Sequence, residues 1–289
     1  MTNTRTALVT GANQGLGREL VAELSRRFDP GDRILLTGRD RGRVERAAQE
    51  LAVGARAQIE PHVLDVRDSA AITALAEALG TVDLVISNAG ARMTPGVANA
   101  EQIDDLVATN DLATIRILRA FGPRLVPGGA LLVVASGLGT LAHLPAPIRA
   151  RYDEAPSLGA LEAVIEDWRA AVRDGRDGAE GWPEWINLPS KAAQVAAVRI
   201  FARDRRAGDL GRGTLIASVC PGLIDTDASR PWFDDMSEAW TPAQGAQPIV
   251  DLALGDRAPG AYGELVQRGT ILPWHPDRDE ARPLAATIA

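Results

Sequence analysis

The N-terminal stretch of the chain constrains the fold more than any other part of the sequence. An apolar run rich in β-branched residues, Thr6–Thr10, leads directly into Gly11–Gly17, a segment with three glycines. Apolar residues then recur at helical spacing from Leu16 to Leu24. This order predicts a strand, a tight turn and a helix. Since glycine allows close backbone approach and a helix N-terminus attracts negative charge, the turn is suited to a pyrophosphate group.

Strand-like and helix-like patterns alternate along the rest of the chain. The strand-like runs are Ile34–Thr37, Ile59–Leu64, Leu84–Ser87, Ala130–Ala135 and Leu215–Val219, and the helical stretches include Val44–Leu51, Ala70–Leu79 and Ile103–Phe121. Such alternation predicts an α/β protein, a Rossmann-type doubly wound parallel sheet with helices on both faces. At 289 residues, the chain is within the range of a single domain of this type. Ligands of this fold bind at the carboxyl ends of the strands, where Gly11, Asp65, Asn88 and Ser136 fall.

The composition narrows the class of partner. The net charge is −7 and the sequence has no block rich in Lys and Arg, which argues against nucleic acid or an anionic membrane surface. No apolar run reaches membrane-spanning length, and the N-terminus lacks the pattern of a signal peptide. The single cysteine, Cys220, excludes an internal disulfide and fits a reducing compartment. We therefore expect a cytoplasmic protein with a small-molecule partner and no metal site.

The use of lysine singles out one position. Of the 31 basic residues, 30 are arginine, and the only lysine is Lys191. A lysine ammonium is a compact charge whose pKa shifts readily, whereas a guanidinium is planar and stays charged. The two side chains are therefore not interchangeable at a site that needs an ammonium.

Further short motifs follow the glycine turn in a recognisable order. The turn has the spacing T-G-x-x-x-G-x-G from Thr10, and the later pieces are Leu64-Asp65-Val66, Ser87-Asn88-Ala89-Gly90, Asn110, Ser136, Lys191 and Pro221-Gly222 with Thr226. Over nearly the whole chain, this order resembles the short-chain dehydrogenase/reductase family. The resemblance implies a nicotinamide dinucleotide cofactor, with Asn110, Ser136 and Lys191 in the catalytic machinery.

Charge after the second predicted strand indicates which dinucleotide is used. A basic residue there accommodates the 2′-phosphate of NADP, whereas an acidic residue binds the ribose hydroxyls of NAD. Arg39 follows the strand and Arg43 lies four positions on, so we predict NADPH/NADP+. Asp40 favours the opposite choice, and Arg39 as an ordinary surface cation stays an alternative. The residues that the family resemblance and this charge argument assign to the cofactor are Gly11, Asn13, Gln14, Gly15, Leu16, Gly17, Arg39, Asp65, Val66, Asn88, Ala89, Gly90, Lys191, Pro221, Gly222, Ile224 and Thr226.

A long segment, residues 141–186, separates Ser136 from the region of Lys191. It contains several prolines, a helical pattern from Leu158 to Trp168 and a polar, glycine-rich turn. We interpret it as an insertion with its own helix and not as a flexible linker. It resembles the insertion of the monomeric carbonyl-reductase branch, which covers the helices through which other members dimerise. The resemblance therefore implies a monomer, with a substrate lid at residues 228–242.

The family pattern is broken at one position. Four residues before Lys191 the family places its catalytic tyrosine, and here that residue is Asn187. An amide donates hydrogen bonds but has no proton to release near neutral pH. Neither of the chain's two tyrosines has the required spacing. The sequence therefore predicts a site of Ser136, Asn187, Lys191 and Asn110 without a tyrosine.

Aromatic residues near the predicted lid suit a broad, flat ligand. The candidates for substrate contact are Trp185, Trp232 and Phe233, together with His143 just past Ser136. The alternative is that the tryptophans anchor the insertion to the body of the protein and that His143 is a loop residue.

Two functions stay open. In the first, the chain reduces a ketone flanked by its own phenol, as in hydroxylated aromatic polyketides, and the substrate supplies the proton. The missing tyrosine, the insertion and the arginine-rich composition resemble atypical ketoreductases of angucyclinone antibiotic pathways. In the second, the chain is a catalytically silent NADPH-binding protein that senses redox state or binds a partner.

Overall fold

The computed structural model of the chain describes residues 4–256, 258–275 and 280–284. The strands are β1 (Thr6–Val9), β2 (Arg33–Gly38), β3 (Gln58–Val63), β4 (Val82–Ser87), β5 (Leu125–Val134), β6 (Leu215–Val219), β7 (Leu265–Gln267), β8 (Thr270–Leu272) and β9 (Arg282–Pro283). The α-helices are α1 (Gly15–Arg27), α2 (Arg41–Ala52), α3 (Ser69–Leu79), α4 (Asn99–Leu106), α5 (Ala113–Phe121), α6 (Ala146–Asp153), α7 (Leu158–Arg173), α8 (Asn187–Gly211) and α9 (Pro242–Leu254). None of the described helices is long and apolar enough to cross a membrane.

The order of the strands identifies the fold. The described residues form a nine-stranded sheet in the order β3-β2-β1-β4-β5-β6-β7-β8-β9. Strands β1 to β7 are parallel, and β8 and β9 are antiparallel at one edge. The strand order reverses at β1, whose neighbours are β2 and β4, so a crevice opens at the carboxyl ends of β1 and β4. The predicted Rossmann-type, doubly wound sheet in a single domain is confirmed.

Helices cover both faces of the sheet because its inner strands are apolar on both sides. All four residues of β1 are buried. Leu8 packs into a cluster with residues of α3, α5, α7 and α8, whereas Ala7 and Val9 pack into a second cluster with α1, α2 and α9. Successive side chains of a strand point to opposite faces, so a continuous apolar run serves both clusters.

The helix predicted over 103–121 is interrupted. Helices α4 and α5 are joined by a wider π turn, Val107–Leu112. This turn holds Asn110 so that its side-chain oxygen accepts a hydrogen bond from the backbone N–H of Ala91 at 2.9 Å. The turn therefore connects α4 and α5 to the loop after β4. Such a local change of helical pitch cannot be seen in the side-chain periodicity of the sequence.

The 141–186 segment folds against the body of the protein. It holds two helices, α6 and α7, where the sequence pattern indicated one. Its centre is formed by Tyr152, Trp168 and Trp182, which are all buried, and the rings of the two tryptophans lie 6.0 Å apart. Helix α7 packs against α4 and α8. The segment is thus a packed layer that precedes α8.

Candidate active site

The glycine turn after β1 is joined to the end of β4. The hydroxyl oxygen of Thr10 accepts hydrogen bonds from the backbone N–H groups of Asn88 (2.9 Å) and Ala89 (3.0 Å). A Cβ at Gly11, where φ is +62°, would lie 2.7 Å from the Cα of Ala89. A Cβ at Gly17 would lie 2.5 Å from Asn88 Nδ2. These approaches are too close for any side chain, which explains the glycine motif.

The N-terminus of α1 is open toward the same turn. Gln14 occupies the N-cap position, but its side chain makes no capping hydrogen bond, and the first helical turn holds no acidic residue. Gly15 follows with a φ of +54°. The N–H groups of the first turn are therefore available to an anion.

A cavity of about 790 Å³ lies at the carboxyl ends of the central strands. The predicted site residues that line it are Gly11, Gln14, Gly15, Leu16, Gly17, Asn88, Gly90, Asn110, Ser136, Trp185, Asn187, Lys191, Pro221, Gly222, Ile224, Thr226, Trp232 and Phe233. The predicted site residues that do not line it are Asn13, Arg39, Asp65, Val66, Ala89 and His143. The fold thus brings most of the predicted catalytic and cofactor residues to one place.

Ser136 follows β5 and lines the cavity, where its hydroxyl hydrogen can be donated to a ligand. The backbone N–H of Leu138 donates to Ser136 Oγ at 3.2 Å. Ser136 is the N-cap of a short 3₁₀ turn, so its hydroxyl oxygen is held as an acceptor. The hydroxyl hydrogen is left to donate to a ligand oxygen in the cavity.

Asn187 begins α8, one helical turn before Lys191, and lines the cavity. Among the described residues, none forms a hydrogen bond with its side-chain amide. Neither tyrosine lines the cavity, since Tyr152 is buried in α6 and the hydroxyl of Tyr262 donates to a carboxylate elsewhere, at 2.7 Å. The cavity therefore has an amide, and no phenol, beside its serine and lysine.

Lys191 lies among buried polar groups. Its Nζ donates to Gln194 Oε1 at 2.7 Å. Burial lowers the pKa of the ammonium, and the neighbouring Asp111 and Cys220 oppose that shift. Asp111 is itself buried, accepts a hydrogen bond from Ser190 Oγ at 2.7 Å, and has a pKa that burial raises well above its ordinary value. The region behind Lys191 is thus a polar cluster within the core.

Several residues predicted to bind the cofactor lie outside the cavity, after β2 and β3. Arg39 makes no hydrogen bond or ion pair among the described residues. The Asp40 carboxylate caps α2, where it accepts from the backbone N–H of Arg43 at 2.8 Å. Hydrogen bonds from Arg67, with a smaller contribution from the charge of Arg39, lower the pKa of Asp65. The cation at this place is available to an anionic ligand, while the adjacent acid is engaged in a helix cap.

Some of the tryptophans line the cavity, and others are buried in the 141–186 segment. Trp185, at the end of the 141–186 segment, and Trp232, in the 228–242 segment, both line the cavity with ring centroids 6.0 Å apart. Phe233 also lines it and is 42% exposed. Trp168 and Trp182, by contrast, lie in the core of the 141–186 segment, so the anchoring alternative holds for them. His143 is exposed, and the structure does not bring it to the cavity.

Several lining residues were not indicated by the sequence patterns. They include Arg92, Met93, Leu138, Leu223, Cys220 and Gln267. Arg92 and Met93 lie two and three positions after the Asn88–Gly90 motif, so extending that motif would have found them. Gln267 comes from β7, which is only three residues long and gives no detectable pattern.

Comparison with known proteins places the chain in a family. The short chain dehydrogenase family matches residues 5–152. Carbonyl reductase [NADPH] 1 of Bos taurus is 30% identical over 288 residues, which cover 93% of this chain and 98% of that protein. Carbonyl reductase [NADPH] 3 of Mus musculus is 30% identical over 285 residues, again 93% and 98% of the two chains.

Solved structures share the fold at lower identity. Salutaridine reductase from Papaver somniferum has a TM-score of 0.75 at 21% identity, over 90% of this chain and 99% of that one. An NADPH-bound carbonyl reductase from chicken fatty liver has a TM-score of 0.65 at 20% identity, over 92% and 97%. Together with the glycine turn, Ser136 and Lys191 around one cavity, these matches show that the chain belongs to the short-chain dehydrogenase family.

Proposed function

We propose that this chain is an NADPH-dependent ketoreductase that works without the tyrosine of its family. The observation that carries the proposal is that Ser136, Asn187 and Lys191 line one cavity with the glycine turn, and that neither tyrosine does. The carbonyl reductases that are 30% identical over most of the chain support an oxidoreductase that uses NADPH.

The residues present fit NADPH. The backbone at Gly11 and Gly17 leaves no room for a Cβ, and the open N-terminus of α1 would hold the pyrophosphate. Arg39, which has no ion-pair partner among the described residues, would take the 2′-phosphate. Lys191 would hold the nicotinamide ribose, as the family resemblance implies. When bound, NADPH supplies the hydride that reduces the ketone.

The two side chains assigned to the reacting carbonyl can orient it, but neither releases a proton near neutral pH. The Ser136 hydroxyl and the Asn187 amide are two donors for the ketone oxygen, and such donors stabilise negative charge as it develops. General acid catalysis typically contributes about 10²- to 10⁴-fold to a rate. Without a tyrosine, we propose that the substrate makes this contribution, since Lys191 is assigned to the nicotinamide ribose.

A ketone flanked by its own phenol meets this requirement. The internal hydrogen bond of such a substrate takes the charge that develops on the oxygen and supplies the proton. The pair of Trp185 and Trp232 on the cavity wall supports a flat aromatic ligand. We therefore propose an aromatic polyketide of the angucyclinone type, in antibiotic biosynthesis, by resemblance to the simocyclinone 7-ketoreductase.

The 141–186 segment supports a monomer. Helix α7 packs against α4 and α8, and α6 packs against α8, so part of α8 is covered. The family resemblance implies that other members dimerise through the helices that such an insertion covers. Sedimentation equilibrium of the full chain is expected to give 30.6 kDa, and a species of twice that mass would refute the proposal.

A panel of aromatic ketones tests the proposed function. We expect NADPH oxidation with ketones that carry an adjacent phenol and much slower oxidation with those that lack it. The second candidate, a silent NADPH-binding protein, is favoured by the absence of a tyrosine from the cavity. NADPH binding without oxidation across the whole panel would establish that alternative and overturn the ketoreductase.

A further inference from the structure

A chain of three hydrogen bonds, of which the first is part-buried and the others are buried, connects Lys191 to the main chain of the π turn. Lys191 Nζ donates to Gln194 Oε1 at 2.7 Å, and Gln194 Nε2 donates to Thr114 Oγ1 at 3.3 Å. The Thr114 hydroxyl in turn donates to the backbone carbonyl oxygen of Asn110 at 2.6 Å. Gln194 and Thr114 are 3% and 1% exposed. We call these four residues the Lys191 network.

Thr114 determines which way the Gln194 amide faces. A hydroxyl group has one hydrogen to donate, and that of Thr114 is directed at the Asn110 carbonyl. Only acceptor lone pairs remain toward Gln194, so the amide nitrogen must face Thr114 and the amide oxygen must face Lys191. The orientation of the amide is thus set by the hydrogen-bond network.

Burying a glutamine side chain at this position costs free energy, which its hydrogen bonds must offset. Its neighbours Ala193, Val195 and Ala196 are buried, and a polar side chain in such surroundings loses hydration and rotamer freedom. Gln194 Oε1 is the one hydrogen-bond acceptor of Lys191 Nζ among the described residues. An ammonium has three hydrogens, so two of them are left for groups in the cavity.

Two titratable groups from other elements also act on Lys191. They are Asp111 in the π turn and Cys220 after β6, and both favour the charged ammonium against the effect of burial. Burial raises the pKa of Asp111 well above its ordinary value, so its negative charge is itself disfavoured. Burial also raises the pKa of Cys220. The neutral oxygen of Gln194 is therefore the group in direct contact with the ammonium, and the amide stays uncharged at any pH.

We propose that Gln194 is a positioning residue that keeps the Lys191 ammonium protonated and directed at the part of the cavity that takes the nicotinamide ribose. Gln194 does not line the cavity, so it acts through Lys191. The inference rests on the NADPH binding proposed above and is independent of the identity of the ketone.

The test uses the fact that Lys191 is the only lysine of the chain. Lysine labelled with ¹³C at Cε gives a single side-chain resonance, whose shift from about pH 7 to about pH 11 reports the pKa of Lys191. The variants are Gln194→Met, which keeps the length and removes the acceptor, and Gln194→Glu, which adds a negative charge. Gln49→Met, at an exposed position of α2, is the control for the exchange of glutamine for methionine.

The expected shifts have opposite signs. Gln194→Met lowers the pKa of Lys191 below that of the unmodified chain, because the charged form loses its acceptor, and Gln194→Glu raises it. Gln49→Met leaves the titration unchanged. If Gln194 had only a structural role, its two variants would not shift the pKa of Lys191 in opposite directions. Coincident titrations of both Gln194 variants and the unmodified chain would therefore overturn the proposal.

Cofactor binding gives the second readout. At neutral pH, Gln194→Met is expected to weaken NADP+ binding by about 10- to 100-fold in titration calorimetry, the loss typical of a buried hydrogen bond to a charged group. Thr114→Val removes the hydroxyl that orients the Gln194 amide but keeps the amide itself, so it is expected to weaken NADP+ binding less. Unchanged NADP+ affinity in Gln194→Met would refute this inference and leave the proposed function unaffected. A chain that binds NADP+ but reduces no ketone would refute the proposed function and leave this inference standing.

Discussion

Gly17 offers the sharpest test of how the glycine turn is built. A Cβ at this position would lie 2.5 Å from both Asn88 Nδ2 and the Gly11 carbonyl oxygen, and no real contact of a Cβ is so short. Asn88 Nδ2 donates to the carbonyl oxygens of Thr10 and Gly11 at 2.9 and 3.2 Å, so it cannot move without weakening both bonds. Overpacking together with a lost hydrogen bond is expected to lower the free energy of unfolding of Gly17→Ala by about 2–4 kcal/mol.

A matched control is present in the same chain. Gly208 lies inside α8, is exposed, and a Cβ there would meet nothing within 4 Å. Gly208→Ala is expected to raise the free energy of unfolding by about 0.5–1 kcal/mol, since alanine is the better helix former. The test measures calorimetric Tm and NADP+ affinity of both variants. Both quantities are expected to be lower in Gly17→Ala than in Gly208→Ala and the parent chain. A Gly17→Ala chain as stable as the parent would refute the packing described for the turn.

Three further outcomes follow from the site and its surroundings. Ser136→Ala is expected to lower kcat by about 10²- to 10³-fold with NADP+ affinity unchanged, and an equal loss of affinity would contradict its role as a donor to the ketone. Arg39→Asp is expected to reverse the ratio of the NADP+ and NAD+ dissociation constants, and an unchanged ratio would exclude a 2′-phosphate site at this residue. Burial alone would raise the pKa of Asp209, but hydrogen bonds from Tyr262, Arg205 and Arg212 outweigh it and hold the pKa below its ordinary value. Because the folded pKa is the lower one, this carboxylate stabilises the fold above about pH 4 and the stabilisation is lost as the pH falls further. In urea titrations, the stability difference between the parent chain and Asp209→Asn should therefore shrink below that pH, and a constant difference would be evidence against it.

Local patterns were sufficient for most of the sheet and for the glycine turn. The run at Thr6–Thr10 differs from β1 by a single residue at its end, because a buried parallel strand must be apolar on both faces. The predicted strand Ala130–Ala135 lies within one residue of the end of β5, which in fact begins earlier, at Leu125. Strands β7 to β9 were not predicted, since two or three residues are too few for a periodic pattern.

The candidate site was predictable where family motifs are contiguous and less so where it depends on packing. Ser136, Asn187 and Lys191 all line one cavity, because motifs that follow parallel strands converge at one edge of the sheet. His143 does not line it, since a residue a few positions beyond a site residue in sequence can lie on the outer side of a loop. The buried Gln194 and Asp111 were not singled out, because their importance depends on partners distant in sequence.

The proposed reaction depends on the Asn187 amide lying beside the ketone oxygen, where the family has a tyrosine. The most direct measurement compares the kcat of the parent chain for a phenol-flanked ketone with its kcat for the methyl ether of the same compound, and repeats the pair with Asn187→Tyr. The parent is expected to lose about 10²- to 10⁴-fold on methylation, and the tyrosine variant is expected to recover part of that loss. Equal rates of the parent chain on the two compounds would mean that the protein supplies the proton itself.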